Sequence, residues 1–233
     1  MTGSRDDGDA ERRTFSRARR QTGMTDSDAG RWVSLFSGGK DSSWALYRAL
    51  TEGLDVARLL TVHPEGDSYM YHVPATHLAE LAAESVGIEH VSVRPGDLGA
   101  TDATDASAQG EYQTSRIRSM TDRLDCGLFA PLWERAPLEL GEAMLDAGFE
   151  ITIVQVAAYG LDRSWLGRTL DRDALAELAD LEEAYGVHPL GEGGEFETFV
   201  TDGPHMERPI ELAYESVWEG DRGHLTVTDA RLA

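Results

Sequence analysis

The sequence predicts an α/β fold, with a parallel sheet covered by helices and a smaller α+β unit after it. Three observations carry that expectation. From Arg31 onward, short apolar runs alternate with stretches of helical periodicity, the pattern of strand–helix–strand units. The glycine turn Ser37-Gly38-Gly39 lies between the first such run and the first helical stretch. Near Glu134-Arg135-Ala136-Pro137 the alternation restarts, which divides the chain into residues 30–134 and 135–233.

Strands are expected at 32–36, 55–62 and 89–93, with weaker ones at 104–109 and 128–132. The helices between them are 42–51, 75–86 and 112–125. Ala45, Leu46, Ala49 and Leu50 share one face of the first, while Leu78, Leu81, Ala82 and Ser85 share one of the second, which stops at Gly87. In the second unit a helix is expected at 138–147, ended by Gly148, then a strand at 150–157. A helix at 172–185 follows, with Asp171 as N-cap and Gly186 as stop. Strand-like runs at 209–218 and 224–228 close the chain. Residues 1–29 read as a disordered basic tail. Within the first 23 there are six arginines against four acids, and beyond Met1 the one large apolar residue is Phe15, too little to offset the entropy of ordering. In one reading Met24 is the working start and the preceding residues are an upstream extension.

With 233 residues, 41% of them hydrophobic, the chain can bury a sizeable core. No apolar stretch reaches membrane-spanning length, and no apolar leader is present, so the expected location is the cytoplasm, without a membrane partner. One cysteine, Cys126, excludes an internal disulfide framework and a cysteine-cluster metal site. It reads as a packed small hydrophobe near a helix end. The seven histidines show no metal-binding spacing. The net charge of −21 argues against nucleic acid as a direct partner, because neutralising phosphates needs a basic face. Acids are spread along the whole chain and arginine has displaced lysine twenty to one, a halophilic signature. At molar salt the Debye length falls to roughly 3 Å, so such self-repulsion is tolerated.

The single lysine, Lys40, stands in Ser37-Gly38-Gly39-Lys40-Asp41-Ser42, between a strand and a helix start. A Walker A loop would need glycine at position 34, which is serine. This loop is shorter. Its glycines allow the N–H groups of Gly38, Gly39 and Lys40 to converge on one anion. The helix N-terminus adds partial positive charge, and Ser37 and Ser42 add hydroxyl donors. Lys40 supplies a full charge able to bridge two phosphates. The second unusual string is Gly191-Glu192-Gly193-Gly194-Glu195-Phe196-Glu197-Thr198, which reads as a flexible acidic loop before a strand containing Phe199-Val200.

The first string resembles the PP-loop of the N-type ATP pyrophosphatases, which split ATP into AMP and pyrophosphate. The second resembles the signature of the diphthine–ammonia ligase family, in which tyrosine usually stands where this chain has Phe196. Glu111-Tyr112-Gln113 with Arg116, Pro131-Leu132-Trp133, Gly160-Leu161-Asp162, Trp165-Leu166-Gly167-Arg168 and Asp171 match further segments of that family, in order and spacing, over residues 31–210. Ser107-Ala108-Gln109-Gly110 departs from its usual apolar strand and turn.

The resemblance implies a HUP-like PP-loop domain (adenine nucleotide α-hydrolase-like) with a smaller C-terminal α+β domain. It also implies ATP-dependent amidation of diphthine on elongation factor 2 by ammonia, through an adenylated carboxylate. ATP and Mg²⁺ are the implied cofactors. By this resemblance Lys40, Asp41, Glu192 and Glu195 are candidate catalytic residues, and Ser37, Gly38, Gly39, Lys40, Asp41 and Ser42 bind nucleotide, with Asp41 at the metal. Tyr112, Gln113, Arg116, Gly193, Gly194, Phe196, Glu197 and Thr198 would bind substrate. A trimethylammonium group donates no hydrogen bond, so carboxylates and the aromatic faces of Tyr112, Trp133 or Tyr159 suit it, and one carboxylate can take a proton from ammonium. Arg116 and Arg168 are candidate phosphate or carboxylate contacts. Two other readings stay open: another adenylating PP-loop enzyme, such as one modifying tRNA, and a nucleotide-binding protein without turnover. The oligomeric state is also open, a homo-oligomer included.

Overall fold

A computed structural model of the chain describes residues 30–62, 75–94, 119, 121–123, 125–133 and 135–233. Three parallel strands, β1 (Trp32–Leu35), β2 (Val56–Val62) and β3 (Glu89–Val93), form one sheet in that order. The connection from β1 to β2 is helix α1 (Lys40–Thr51), and α2 (Ala75–Val86) precedes β3. Parallel neighbours need such crossovers, which explains why strand and helical patterns alternate. Phe36, Trp44, Leu46, Leu59, Ala82 and Val86 are buried together, while Val33 (57% exposed), Leu35 (63%) and Val62 (51%) lie exposed on the same sheet. The expected cover on both faces is therefore not seen among the described residues.

The second unit begins with α3 (Pro137–Asp146), whose Pro137 stands in the first turn, where a missing N–H costs nothing. It continues through β4 (Glu150–Val156), a single 3₁₀ turn at Arg163–Trp165, and α4 (Arg172–Tyr185). Then come β5 (Phe196–Asp202), β6 (Ile210–Glu219) and β7 (Arg222–Leu232). The strands pair antiparallel in the order β5-β4-β7-β6, which leaves β5 at one edge. Helix α4 begins and ends on the residues its sequence names. The Asp171 carboxylate accepts from Ala174 N–H at 2.7 Å, and Gly186 takes a left-handed conformation (φ 73°) while its N–H returns to Glu182 O.

The two sheets share a continuous apolar core. Trp44 and Tyr47 of α1 meet Phe149 edge-on at 5.6 Å, and Phe149 stacks on His205 at 5.1 Å. Ser85, at the end of α2, accepts from Glu207 N–H through its carbonyl, and its hydroxyl donates to Arg208 O. Helix α1 and the chain around β4 and β5 are thereby locked in relative position.

Some expectations fail. Residues 128–132 form no strand: Trp133 N–H closes a turn on Ala130 O, and Phe129 packs edge-on against Trp32 at 6.4 Å. Pro131 lacks the N–H that a ladder requires, so the apolar residues here pack back on β1 instead of pairing. Cys126 is exposed, not packed, because it lies just past the helical residues 121–123 in an exposed stretch. Residues 104–109 lie outside the described residues, as does most of 112–125. Of the latter, 119 and 121–123 are helical. The basic tail also lies outside.

Removing the α4 cap tests the local reading. Asp171→Ala is expected to cost about 1 kcal/mol and to lower the thermal midpoint by roughly 2–4 °C, read by calorimetry.

Candidate active site

Ser37-Gly38-Gly39 turns the chain from β1 into α1, and the turn is tied internally. Ser37 N–H donates to Ser42 Oγ at 3.2 Å, Ser42 Oγ donates to Gly39 O at 3.0 Å, and Gly39 N–H reaches Ser37 Oγ at 3.4 Å. The Ser37 and Ser42 hydroxyls, expected as anion donors, here shape the loop. Gly39 is the N-cap of α1 but offers no side-chain cap, so the helix start carries its partial positive charge without a side-chain acceptor on its own cap. That is the setting of an anion site. The expected convergence of three N–H groups is modified, because Lys40 N–H is already bonded to Thr198 Oγ1 at 3.2 Å.

The second motif does not form one loop. Gly191 to Glu195 turn, whereas Phe196, Glu197 and Thr198 open strand β5. Residues Phe196 to Val200 of β5 each interact with the phosphate loop or the start of α1, through side chain, backbone or charge. Phe196 is buried, with Lys40 Nζ 5.9 Å from its ring centroid. Glu197 feels the charges of Lys40 and Asp41. Thr198 holds Lys40 N–H, Phe199 fills the space beside Gly38, and Val200 N–H donates to Gly38 O at 2.9 Å. At Gly38 the backbone is left-handed (φ 81°) and a Cβ would lie 2.8 Å from the Phe199 ring. Only glycine satisfies both constraints. The joining of the two motifs, and the parts of Phe199 and Val200 in it, have no local signal in the sequence.

Lys40 is 4% exposed and its Nζ lies 2.9 Å from Asp41 Oδ2. The other carboxylate oxygen, Asp41 Oδ1, is buried with no hydrogen-bond partner among the described residues. Burial pushes the Glu197 carboxyl up from the ordinary carboxylate range; the Lys40 charge opposes that rise and Asp41 adds to it. Lys40, Asp41 and Glu197 thus form one charge cluster at the start of α1.

The three glutamates of the motif have separate settings. Both carboxylate oxygens of Glu195 are engaged by backbone donors, His188 N–H at 3.1 Å and Gly193 N–H at 2.8 Å. Glu195 O also accepts from Ala157 N–H at 2.8 Å, tying the turn to the end of β4. Gly191 is left-handed (φ 68°), with Phe196 O 2.6 Å from where a Cβ would sit, so the turn closes only with glycine there. Glu192 is exposed, with the His188 ring Nε2 3.8 Å from its carboxylate. Gly193 and Gly194 lie exposed on the same turn. Arg168 is not open to a substrate anion: it makes a two-pronged pair with Glu177, both contacts 2.7 Å, and lies 4.4 Å from the Trp165 ring centroid. That pair holds Arg168 above and Glu177 below their ordinary pKa values. Tyr112, Gln113 and Arg116 lie outside the described residues. Among the described residues no group of three metal-ligating side chains is present, and no helix is long and apolar enough to cross a membrane.

Residues 30–101 match the model of the diphthamide synthase N-terminal domain, and residues 136–232 match that of the diphthamide synthase C-terminal domain. The chain belongs to the diphthamide synthase family. A diphthine–ammonia ligase of Danio rerio is 31% identical over 230 residues, covering 82% of this chain and 90% of the relative. Those of Homo sapiens and Rattus norvegicus are 30% identical, each covering 77% of this chain and 82% of the relative. In this member of the family, the lysine loop and the glycine–glutamate motif meet along β5.

The Glu197 environment makes a pH-dependent difference testable. A carboxyl whose folded pKa is raised weakens the fold when charged, and the penalty fades as pH falls through the folded pKa. Glu197→Gln is therefore expected to raise the thermal midpoint at pH 8. The advantage should shrink as pH falls and be gone below the ordinary value of 4.5, read by melts across a pH series.

Proposed function

We propose that this protein catalyses ATP-dependent amidation of diphthine on elongation factor 2 by ammonia, forming diphthamide, AMP and pyrophosphate. One observation supports the reading most: β5 lays Phe196 and Thr198, the strand end of the glycine–glutamate motif, directly on the phosphate loop, and the acidic turn leads into that strand. The names of the relatives point the same way.

In this reading the substrate carboxylate oxygen attacks the α-phosphorus, the α–β phosphoanhydride bond breaks, and pyrophosphate leaves. Ammonia then attacks the acyl carbon, AMP departs with the former carboxylate oxygen, and nitrogen loses a proton. The carboxylate needs this activation because its own leaving group is too poor. Lys40, buried against Phe196 and paired with Asp41, neutralises the departing pyrophosphate. Gly38, Gly39 and the start of α1 cradle it. Asp41 fits a Mg²⁺ ion, since its Oδ1 is buried without a partner among the described residues and such ions take one or two carboxylates plus phosphate oxygens. When bound, Mg²⁺ neutralises triphosphate charge.

Among the glutamates, Glu195 shapes the turn through its two backbone donors, which leaves Glu192 open to hold a cationic group. Glu197, with its raised pKa, is suited to exchange a proton near the reacting centre. Tyr112, Gln113 and Arg116 complete the substrate contacts, with Gly193, Gly194, Phe196 and Thr198 framing them. The functional units are 30–134 for nucleotide and 135–233 for substrate, working in the cytoplasm on a soluble protein substrate. The −21 charge is an adaptation to high salt.

Deleting the gene is expected to leave elongation factor 2 with diphthine and no diphthamide, read by mass spectrometry of the modified peptide. Full-level diphthamide in the deletion strain would reject the proposal. Lys40→Arg is expected to stay folded and to lose about 100-fold or more of AMP release, since a planar fork replaces a compact ammonium in a buried position.

A further inference from the structure

The first residue of α1 donates its backbone N–H to a side chain 158 positions away. Lys40 N–H reaches Thr198 Oγ1 at 3.2 Å in a buried setting, with Thr198 itself 8% exposed. An N–H in the first turn of an uncapped helix is the donor that a bound anion uses. The Thr198 hydroxyl oxygen therefore stands in the position of a phosphate oxygen. The strand beneath it is held independently, through Val200 N–H on Gly38 O at 2.9 Å and the Phe199 ring against Gly38. Rotation about χ1 of Thr198 can thus move the hydroxyl while β5 and the loop stay in place.

We infer that Thr198 is a positioning residue whose hydroxyl occupies Lys40 N–H in the nucleotide-free enzyme and yields that donor to a phosphate oxygen when nucleotide enters. The inference rests on reading this loop as the ATP site. It gives the hydroxyl two duties. It keeps a buried donor satisfied, and the loop shaped, while the site is empty. It also competes for the donor after the α–β bond breaks, which promotes release of pyrophosphate. A residue on the substrate-side motif thereby sets the affinity of the nucleotide loop.

A placeholder has an unusual signature, because deleting it weakens the empty state and leaves the filled state unchanged. Titration calorimetry of the full chain with α,β-methylene ATP, which cannot be cleaved at the reacting bond, and separately with pyrophosphate reads it directly. Thr198→Val is expected to bind both roughly five- to thirty-fold tighter, the equivalent of one unsatisfied buried N–H in the empty state. Its thermal midpoint without ligand should fall. Thr198→Ser, which keeps the hydroxyl, should match the parent protein in both respects. Thr198→Ala must show the same tightening as the valine variant, which keeps the test alive if valine prevents folding. Unchanged affinity in the folded hydroxyl-free variants overturns the inference. Weaker affinity overturns it too, since it would mean the hydroxyl donates to the bound phosphate. If the parent protein binds neither probe, the ATP reading falls and this inference falls with it.

Discussion

The contact between the edge of β5 and the phosphate loop is the constraint on which the candidate site depends. An edge strand presents unpaired N–H and C=O groups that must be covered or paired. Here the covering is done by the loop between β1 and α1, with Val200 N–H on Gly38 O and Thr198 Oγ1 on Lys40 N–H. The absent side chain at Gly38 makes room for the Phe199 ring, and the left-handed backbone there turns the chain toward the helix. A feature that would otherwise be a liability of the second sheet thus becomes the floor of the site in the first.

Electrostatics follow from that geometry. Burying Lys40 beneath β5 requires a counter-charge, and Asp41 at 2.9 Å supplies it from the neighbouring residue. Glu197 arrives from the other motif, where desolvation outweighs the attraction of Lys40 and raises its pKa. One carboxylate oxygen of Asp41 remains buried without a partner among the described residues. A cluster of one cation and two carboxylates, one of them incompletely satisfied, is poised to take a ligand that brings its own charges. The glycine–glutamate turn is shaped by different forces, with Glu195 spending both oxygens on backbone N–H groups so that Glu192 stands clear.

Much of the fold was legible from local pattern. Helix α4 starts at Asp171 and ends at Gly186 because a carboxylate cap and a left-handed glycine act within one turn of the residues that encode them. β2, β3 and β4 follow from apolar runs of strand length bounded by turn residues. Residues 128–132 misled because apolar content was read as pairing, whereas Pro131 and the proximity of Trp32 direct those side chains into packing. Arg168 looked available for an anion, yet Glu177, nine residues on and one element away, holds both prongs of its guanidinium. At Glu195 the sequence shows a carboxylate but not the His188 and Gly193 N–H donors folded around it.

By itself the sequence determined the α/β alternation, the single lysine at a glycine turn, and a family resemblance strong enough to name a chemistry. Those properties are local, set by residue type, spacing and short-range backbone preference. Only the tertiary structure decided that Lys40 is buried, that Thr198 holds its N–H, and that Glu197 shares its field. Each of these is a contact across about 150 residues, made when the open edge of one sheet meets the loop of another. Such contacts depend on how two cores pack together, which no short stretch of chain encodes.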